Sequence, residues 1–518
     1  MEGGGRRASR AAPERVAQAP GPARPDRFAV FVTHGMGEQI RFQTLDLVAE
    51  GLRGQDAIER GVSISALPPP RVRSILLSGE RLQRAELFLR RPDGGEREVH
   101  VYEGYWAPLT EGQVRLRDVL AFLLRGAVNG IWNGIRRGGL ARWLFGRYSS
   151  FPIPRSTLPA LLVSLAALVG LIALNGAVTF VGLVAIARSL LDRPPMWLDG
   201  PVFTRLLTAM ESFLALVVLF LASLFASWAL RRRTSARFLR RAAGALSIFF
   251  LALVLAGLAF GGVWLPVIFW IRLAMGAPEA VGPALPAASV QIVGAICWPV
   301  LVVFSIWVRS LLVQYPGDLA AYVSSYTLDR FHDLRSRIKE TIWTKARAIY
   351  AAAGEGGVGF EYAECAVVGH SLGSVIAYDT LNRLILDDTP PRAGEADAGG
   401  LSVVSRTRLF LTFGSPLDKT AFLFGVQGMR TTEAREALAA SVQPMLCDYA
   451  LRPRKWINIY SPWDIVSGYL DYYDPPGSTD PRRVENRIDP HATTLLKAHL
   501  EYWRNPLLFQ ILHRELTS

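Results

Sequence analysis

Gly369-His370-Ser371-Leu372-Gly373 is the stretch of this chain best suited to do chemistry. A short apolar run, Ala366-Val367-Val368, leads into it, and Val375, Ile376, Leu381, Leu384 and Ile385 leave it at helical spacing. That order reads as strand, tight turn, helix. A serine hydroxyl is a poor nucleophile until a base takes its proton and its oxygen is pushed into the open. A sharp turn does the pushing. It also crowds the backbone, so the positions two before and two after the serine must be small. Gly369 and Gly373 meet that demand. The helix that follows turns its free N–H groups towards the serine, where a developing oxyanion can use them. Ser371 is therefore the candidate nucleophile, and the Leu372 backbone N–H a candidate oxyanion donor.

Such a serine needs a base, and the base needs a carboxylate to orient it. In open α/β sheets these groups lie just beyond the carboxyl ends of strands. Two aspartates stand there. Asp464 follows the strand-like Trp456–Tyr460 through a Ser461-Pro462-Trp463 turn, and Asp418 follows Leu409–Phe413. Asp464 is preferred because its strand is the later one; Asp418 stays open as an alternate. The base must come from seven histidines. His34 and His370 belong to backbone motifs, His100 to a hairpin, His332 to a polar helix, and His513 to the C-terminal end. His499, in Ala498-His499-Leu500-Glu501, is preferred over His491, which follows Asp489-Pro490 like a turn. His34-Gly35 follows an early strand, and there the Met36 N–H is the second candidate oxyanion donor.

The elements that must hold these groups can be read from the same sequence. Phe28–Val32 is a buried-strand pattern, and Phe42, Leu45, Leu47 and Val48 suggest a helix. Glu86–Leu89 and Val99–Tyr102 flank a Pro92-Asp93-Gly94-Gly95 turn, which predicts a hairpin. A long helix is expected from Asp318 to about Ala353. Strands are expected at 409–413 and 456–460, with an irregular, partly helical excursion over 419–453. Strands alternating with helices predict an α/β fold with a mostly parallel sheet covered on both faces.

Composition adds a second feature. The chain has 518 residues and a formal net charge of +13; it is 50% hydrophobic and only 19% charged. Four long uncharged runs, 156–187, 212–230, 242–270 and 280–308, each supply the roughly 20 apolar residues that cross a bilayer. Six arginines crowd 231–241, and basic short loops stay in the cytoplasm. The expectation is an integral membrane protein with four spans, the α/β parts on either side of them and both termini cytoplasmic. The division is then 1–25 a basic, disordered tail, 26–115 and 311–518 two parts of one domain, 116–155 an amphipathic interfacial segment, and 156–310 the spans. The runs carry no charge and no histidine, which argues for an anchor over a pump or channel. Three cysteines far apart indicate neither a disulfide framework nor a metal site, and no cofactor is implied. No zinc-finger or helix-turn-helix spacing supports nucleic-acid binding; the expected partners are a lipid bilayer and an ester or lipid substrate. The oligomeric state is not readable.

Taken together, Thr33-His34-Gly35-Met36-Gly37, the Gly369–Gly373 pentapeptide, Thr412-Phe413-Gly414-Ser415-Pro416, Asp464 and Ala498–Trp503 resemble the α/β-hydrolase superfamily on its lipase and esterase side. The order Ser, Asp, His is that of the superfamily. The resemblance covers roughly 26–110 and 315–518 and departs from it in the inserted apolar block. It implies a Ser371-His499-Asp464 acyl-enzyme mechanism on a carboxylic ester. Acyl transfer or thioester cleavage by the same groups is an alternative, as is a non-catalytic scaffold.

Overall fold

A computed structural model of the chain describes residues 27–36, 39–110, 329–354, 359–388, 400–420, 443–464, 466–470, 473–474, 477–493 and 497–518, with isolated positions between 219 and 306. Its strands are β1 (Arg27–Thr33), β2 (Arg71–Leu77), β3 (Glu80–Arg90), β4 (Glu96–Gly104), β5 (Glu364–His370), β6 (Thr407–Phe413), β7 (Lys455–Tyr460) and β8 (Val484–Ile488). The longer helices are α1 (Gln43–Arg60), α2 (Asp329–Tyr350), α3 (Leu372–Asp388) and α4 (Pro506–Thr517). All the strands join one 8-stranded sheet in the order β2-β3-β4-β1-β5-β6-β7-β8. From β4 to β8 every neighbouring pair is parallel, while β3 runs against both β2 and β4.

The central strands are apolar on both faces because both faces are covered. Phe28, Val30, Val32, Ala366 and Val368 pack with α1 and α4. Ala29, Phe31 and Val367 point the other way, into a second cluster with α2 and α3. Successive strand residues face opposite sides, so a strand between two helical layers reads as an unbroken apolar run. The hairpin expected at 86–102 is β3 and β4. β1 lies between β4 and β5, so the chain leaves it first in one direction and later in the other. Such a reversal opens a crevice at the carboxyl ends of the strands.

Two edge strands carry no such signal. β2 is largely exposed, with Val72 at 72% and Leu76 at 68%, and lacks in–out alternation. β8 is five residues long, and three of them, Glu485, Asn486 and Arg487, are polar. Helix α4 starts from Asn505 with Pro506 in its first turn and is tied to α1 by a 3.0 Å contact between His513 Nε2 and Asp56 Oδ1.

The expected membrane insertion needs correction. Among the described residues no helix is long and apolar enough to cross a membrane. Helix α2 has 22 residues, a sufficient length, but carries Asp333, Arg335, Arg337, Lys339 and Glu340. Helix α3 is more apolar but has only 17 residues. The four runs themselves lie outside the described residues, apart from isolated positions, as do 1–25 and 116–155. An apolar run licenses a span only in length, and a span also requires a helix of that length. The four-helix transmembrane insertion, the integral-membrane location and the cytoplasmic side inferred from it are therefore not retained.

One buried cation holds the connection into β7. Arg452 is 1% exposed. Its Nε donates to the Met445 carbonyl at 2.6 Å, its Nη1 to Asp474 Oδ1 at 2.6 Å and its Nη2 to the Tyr473 carbonyl, with the Tyr449 ring 4.2 Å away. Replacing it with Met keeps the volume but takes the cation from Asp474, which keeps the Tyr449 hydroxyl and the Val484 N–H, and the donor from two carbonyls. Arg452→Met is expected to destabilise the fold by about 3 kcal/mol, read as the shift in a urea unfolding curve. An unshifted curve would mean that water takes over those acceptors.

Candidate active site

Strand β5 delivers Ser371 into a conformation few side chains adopt, with φ at 52°. A non-glycine residue there costs about 1–3 kcal/mol and persists only where its surroundings impose it. Here they do. The Ser371 N–H donates to the Phe413 carbonyl at 3.1 Å, and the Ser371 carbonyl accepts from the Ser374 N–H at 3.0 Å and the Ser374 hydroxyl at 2.5 Å. The flanking glycines are required by space. A Cβ on Gly369 would stand 2.4 Å from Ser374 Cα, and one on Gly373 would stand 2.3 Å from the His34 carbonyl oxygen. Thr33 closes the gap by donating to the Gly373 carbonyl at 2.8 Å, which draws the end of β1 against the turn.

The loop after β1 lies across Ser371: a Cβ on Gly35 would be 2.6 Å from Ser371 Cβ and 3.3 Å from Ser371 Oγ. His34 fixes this loop. Its Nε2 accepts from the Trp106 N–H at 3.0 Å, so its Nδ1 carries the proton and donates to the Gly35 carbonyl at 2.9 Å. The His34 ring stacks on Trp106 at 4.9 Å. The Gly35–Met36 peptide is trans, so pinning its carbonyl turns the Met36 N–H the opposite way. Leu372 is the first residue of α3, which leaves its N–H outside the helical ladder. Both expected oxyanion donors therefore border Ser371 on separately fixed segments.

His499 and Asp464 meet Ser371 in a series of contacts at bonding distance. His499 Nε2 lies 2.8 Å from Ser371 Oγ, and His499 Nδ1 lies 3.0 Å from Asp464 Oδ2. All three are buried. The Asp464 carboxylate is held well below its ordinary range; burial opposes this, but the neighbouring His499 and the Val466 and Ser467 donors outweigh it. An ionised Asp464 only accepts, so His499 Nδ1 is the donor and Nε2 is free to take the serine proton.

The alternates lie elsewhere. Asp418 is buried against Lys419, whose Nζ lies 3.2 Å from Asp418 Oδ2, and packs on Gly468. His491 has a 46% exposed side chain, and its N–H donates to Asp489 Oδ1 at 2.8 Å, a turn contact. Three other groups belong to the site without having been expected there. Tyr502 donates to Asp464 Oδ2 at 3.0 Å, Ser467 lies 3.0 Å from the Tyr502 hydroxyl, and His370 Nε2 donates to the His499 carbonyl at 3.1 Å. The spacing of three between His499 and Tyr502 was visible in the sequence. That the two rings meet on one aspartate was not.

Comparison with protein-family models, with curated proteins and with solved structures returned no match. The assignment of chemistry therefore rests on this geometry. Glu86, Glu98 and His100 also gather closely enough to hold a metal ion. Their atoms are already engaged: Arg73 and Arg84 pair with Glu86, Arg27 with Glu98, and His100 bonds Glu98 and Tyr362. That donor set fits a buried ion-pair network better than a metal.

Two imidazoles at the site are held neutral. Burial lowers His34 to about 4, and burial with the adjacent His499 lowers His370 to about 3, against an ordinary 6.5. Below pH 6.5 the unfolded chain takes up protons that the folded chain refuses. Their contribution is thus complete above pH 6.5 and is lost as the pH falls through 4 towards 3. For His34 alone the loss amounts to about 3 kcal/mol. Imidazole NMR at pH 5.5 should show both rings neutral, and the urea midpoint should drop between pH 7 and pH 4.5. Either ring protonated at pH 5.5 in the folded protein would contradict this.

Proposed function

We propose that this protein is a serine hydrolase of the α/β-hydrolase type that cleaves carboxylic esters through an acyl-enzyme. The observation that carries the reading is the unbroken contact series from Ser371 Oγ to His499 Nε2 at 2.8 Å and from His499 Nδ1 to Asp464 at 3.0 Å. The chain order Ser371, Asp464, His499 and the strand–turn–helix setting of Ser371 support it. Ser371 Oγ attacks the ester carbonyl carbon while His499 Nε2 takes its proton. The carbonyl oxygen becomes an oxyanion that the Met36 and Leu372 N–H groups can receive. The C–O bond then breaks, and the proton on His499 goes to the departing alcohol. Water attacks the acyl-Ser371 by the same route, releasing the acid and restoring the serine. Asp464 stays ionised throughout and stabilises the transient imidazolium. A scaffold would need none of these three side chains in register. The reading extends to carboxylic esters as a class.

The test is covalent. A fluorophosphonate probe should label the wild-type protein, and peptide mapping should place the adduct on Ser371. Undiminished labelling of Ser371→Ala would sink the assignment.

A further inference from the structure

Asp464 is bound more heavily than an orienting carboxylate requires. Its Oδ1 accepts from the Val466 N–H at 2.9 Å, and its Oδ2 accepts from both His499 Nδ1 and the Tyr502 hydroxyl, each at 3.0 Å. Tyr502 is fully buried, packed against Phe413 in the cluster under α1 and α4. Its hydroxyl also meets Ser467, which in turn accepts from the Ser461 N–H. The base and this second donor come from one short segment. His499 lies in the helical turn Ala498–Glu501, and Tyr502 opens the next turn, three residues on and so on the same side. A Phe at 502 would fill the core equally well, so packing does not account for the hydroxyl.

Resting on the serine-hydrolase reading above, we propose that Tyr502 is a positioning residue of the relay: its hydroxyl, braced by Ser467, fixes the Asp464 oxygen that His499 uses and shares its charge. Tyr502 touches no reacting atom and acts through Asp464. Burial and the adjacent Asp464 charge push the phenol well above its ordinary value, so it remains a donor at every working pH. Its bond draws off part of the carboxylate's charge. A carboxylate with less charge to give holds the transient imidazolium less firmly. The braced Tyr502 hydroxyl on a buried carboxylate also prevents it from swinging away when the imidazole is neutral.

The experiment uses the full chain and a p-nitrophenyl ester of a short acid. Tyr502→Phe is expected to lower kcat by about 10-fold with KM within about twofold, and to move the acid limb of the kcat/KM profile upward by roughly 0.5–1 pH unit. Replacing Tyr502 with 3-fluorotyrosine, a stronger donor of nearly the same size, should move the limb the other way and keeps the test alive if the Phe variant does not fold. The downfield proton resonance of His499 Nδ1 should shift in both. An acid limb and resonance unmoved in folded variants overturn the role of Tyr502 alone, provided that wild type still carries the fluorophosphonate on Ser371. A wild type that takes no label overturns the serine reading and this inference with it.

Discussion

Ser371→Ala is expected to abolish ester hydrolysis and to leave the fold intact. The expected fall in kcat is at least about 10⁴-fold, because the nucleophile is lost and only binding and oxyanion stabilisation remain. The fold should survive because the change deletes one oxygen. The strained backbone at 371 is held by the Phe413 carbonyl and by Ser374, neither of which bonds to the Ser371 hydroxyl. His499→Ala should fall as far. Asp464→Asn should come close, since an amide can present its NH₂ to His499 Nδ1 and stabilise the wrong tautomer. Combining any two should add little to the larger single loss, as the three act as one unit. Steady-state kinetics with circular dichroism as the control for folding decides the matter. A double variant whose losses multiply would mean that the contacts seen here do not operate together, and a normal rate in His499→Ala with a crippled His491→Ala would relocate the base.

The second large effect is on the turn itself. A methyl group on Gly373 would meet the His34 carbonyl oxygen at 2.3 Å and the Thr33 carbonyl oxygen at 2.5 Å. These obstacles are backbone atoms at the end of a central strand and just beyond it, so no rotamer change relieves them. Gly373→Ala is expected to destabilise the protein by about 4 kcal/mol, above the usual 1–3 for overpacking. What folds should also be impaired in catalysis, because the only direction of relief pushes β1 and its His34-Gly35-Met36 loop away from Ser371. Thermal unfolding together with the probe-labelling rate measures both. A variant with wild-type stability and labelling would show that the turn is looser than its hydrogen bonds imply. The Thr33 hydroxyl, bonded to Gly373, makes a milder companion: Thr33→Val should cost about 1 kcal/mol.

Much of this candidate site is legible in the sequence, for identifiable reasons. Gly369, Ser371 and Gly373 declare themselves because the turn leaves room for nothing larger at two of its positions. Asp464 and His499 could be chosen over Asp418 and His491 from strand order and local context. The two alternates have other contacts, an ion pair with Lys419 and a turn at Asp489. The covered strands were legible because burial on two faces leaves a continuous apolar run. β2 was not, since an edge strand with exposed Val72 and Leu76 needs no pattern to exist beyond its partner β3. Tyr502 was hidden for another reason: its role depends on where Asp464 lies after folding, and no local rule encodes that. The apolar runs between 156 and 308 are the opposite case. There composition spoke clearly, but hydropathy states how far a segment could reach and leaves its conformation open.

The position of β1 has a consequence for how the chain is made. It pairs with β4 on one side and with β5 on the other, and the bond from Thr33 to Gly373 joins residues 340 apart. The first half of the sheet therefore leaves the ribosome with the edge of its most apolar strand unpaired, and synthesis at 5–20 residues per second leaves that edge open for roughly 15–70 s. During that interval Phe28, Val30 and Val32 form a template for any passing strand. Closing so long a loop is slow but thermodynamically mild, since its entropy grows only with the logarithm of length. The vulnerable phase of this protein's life is thus its synthesis, when shielding by a chaperone would matter more than at any time after β5 has docked.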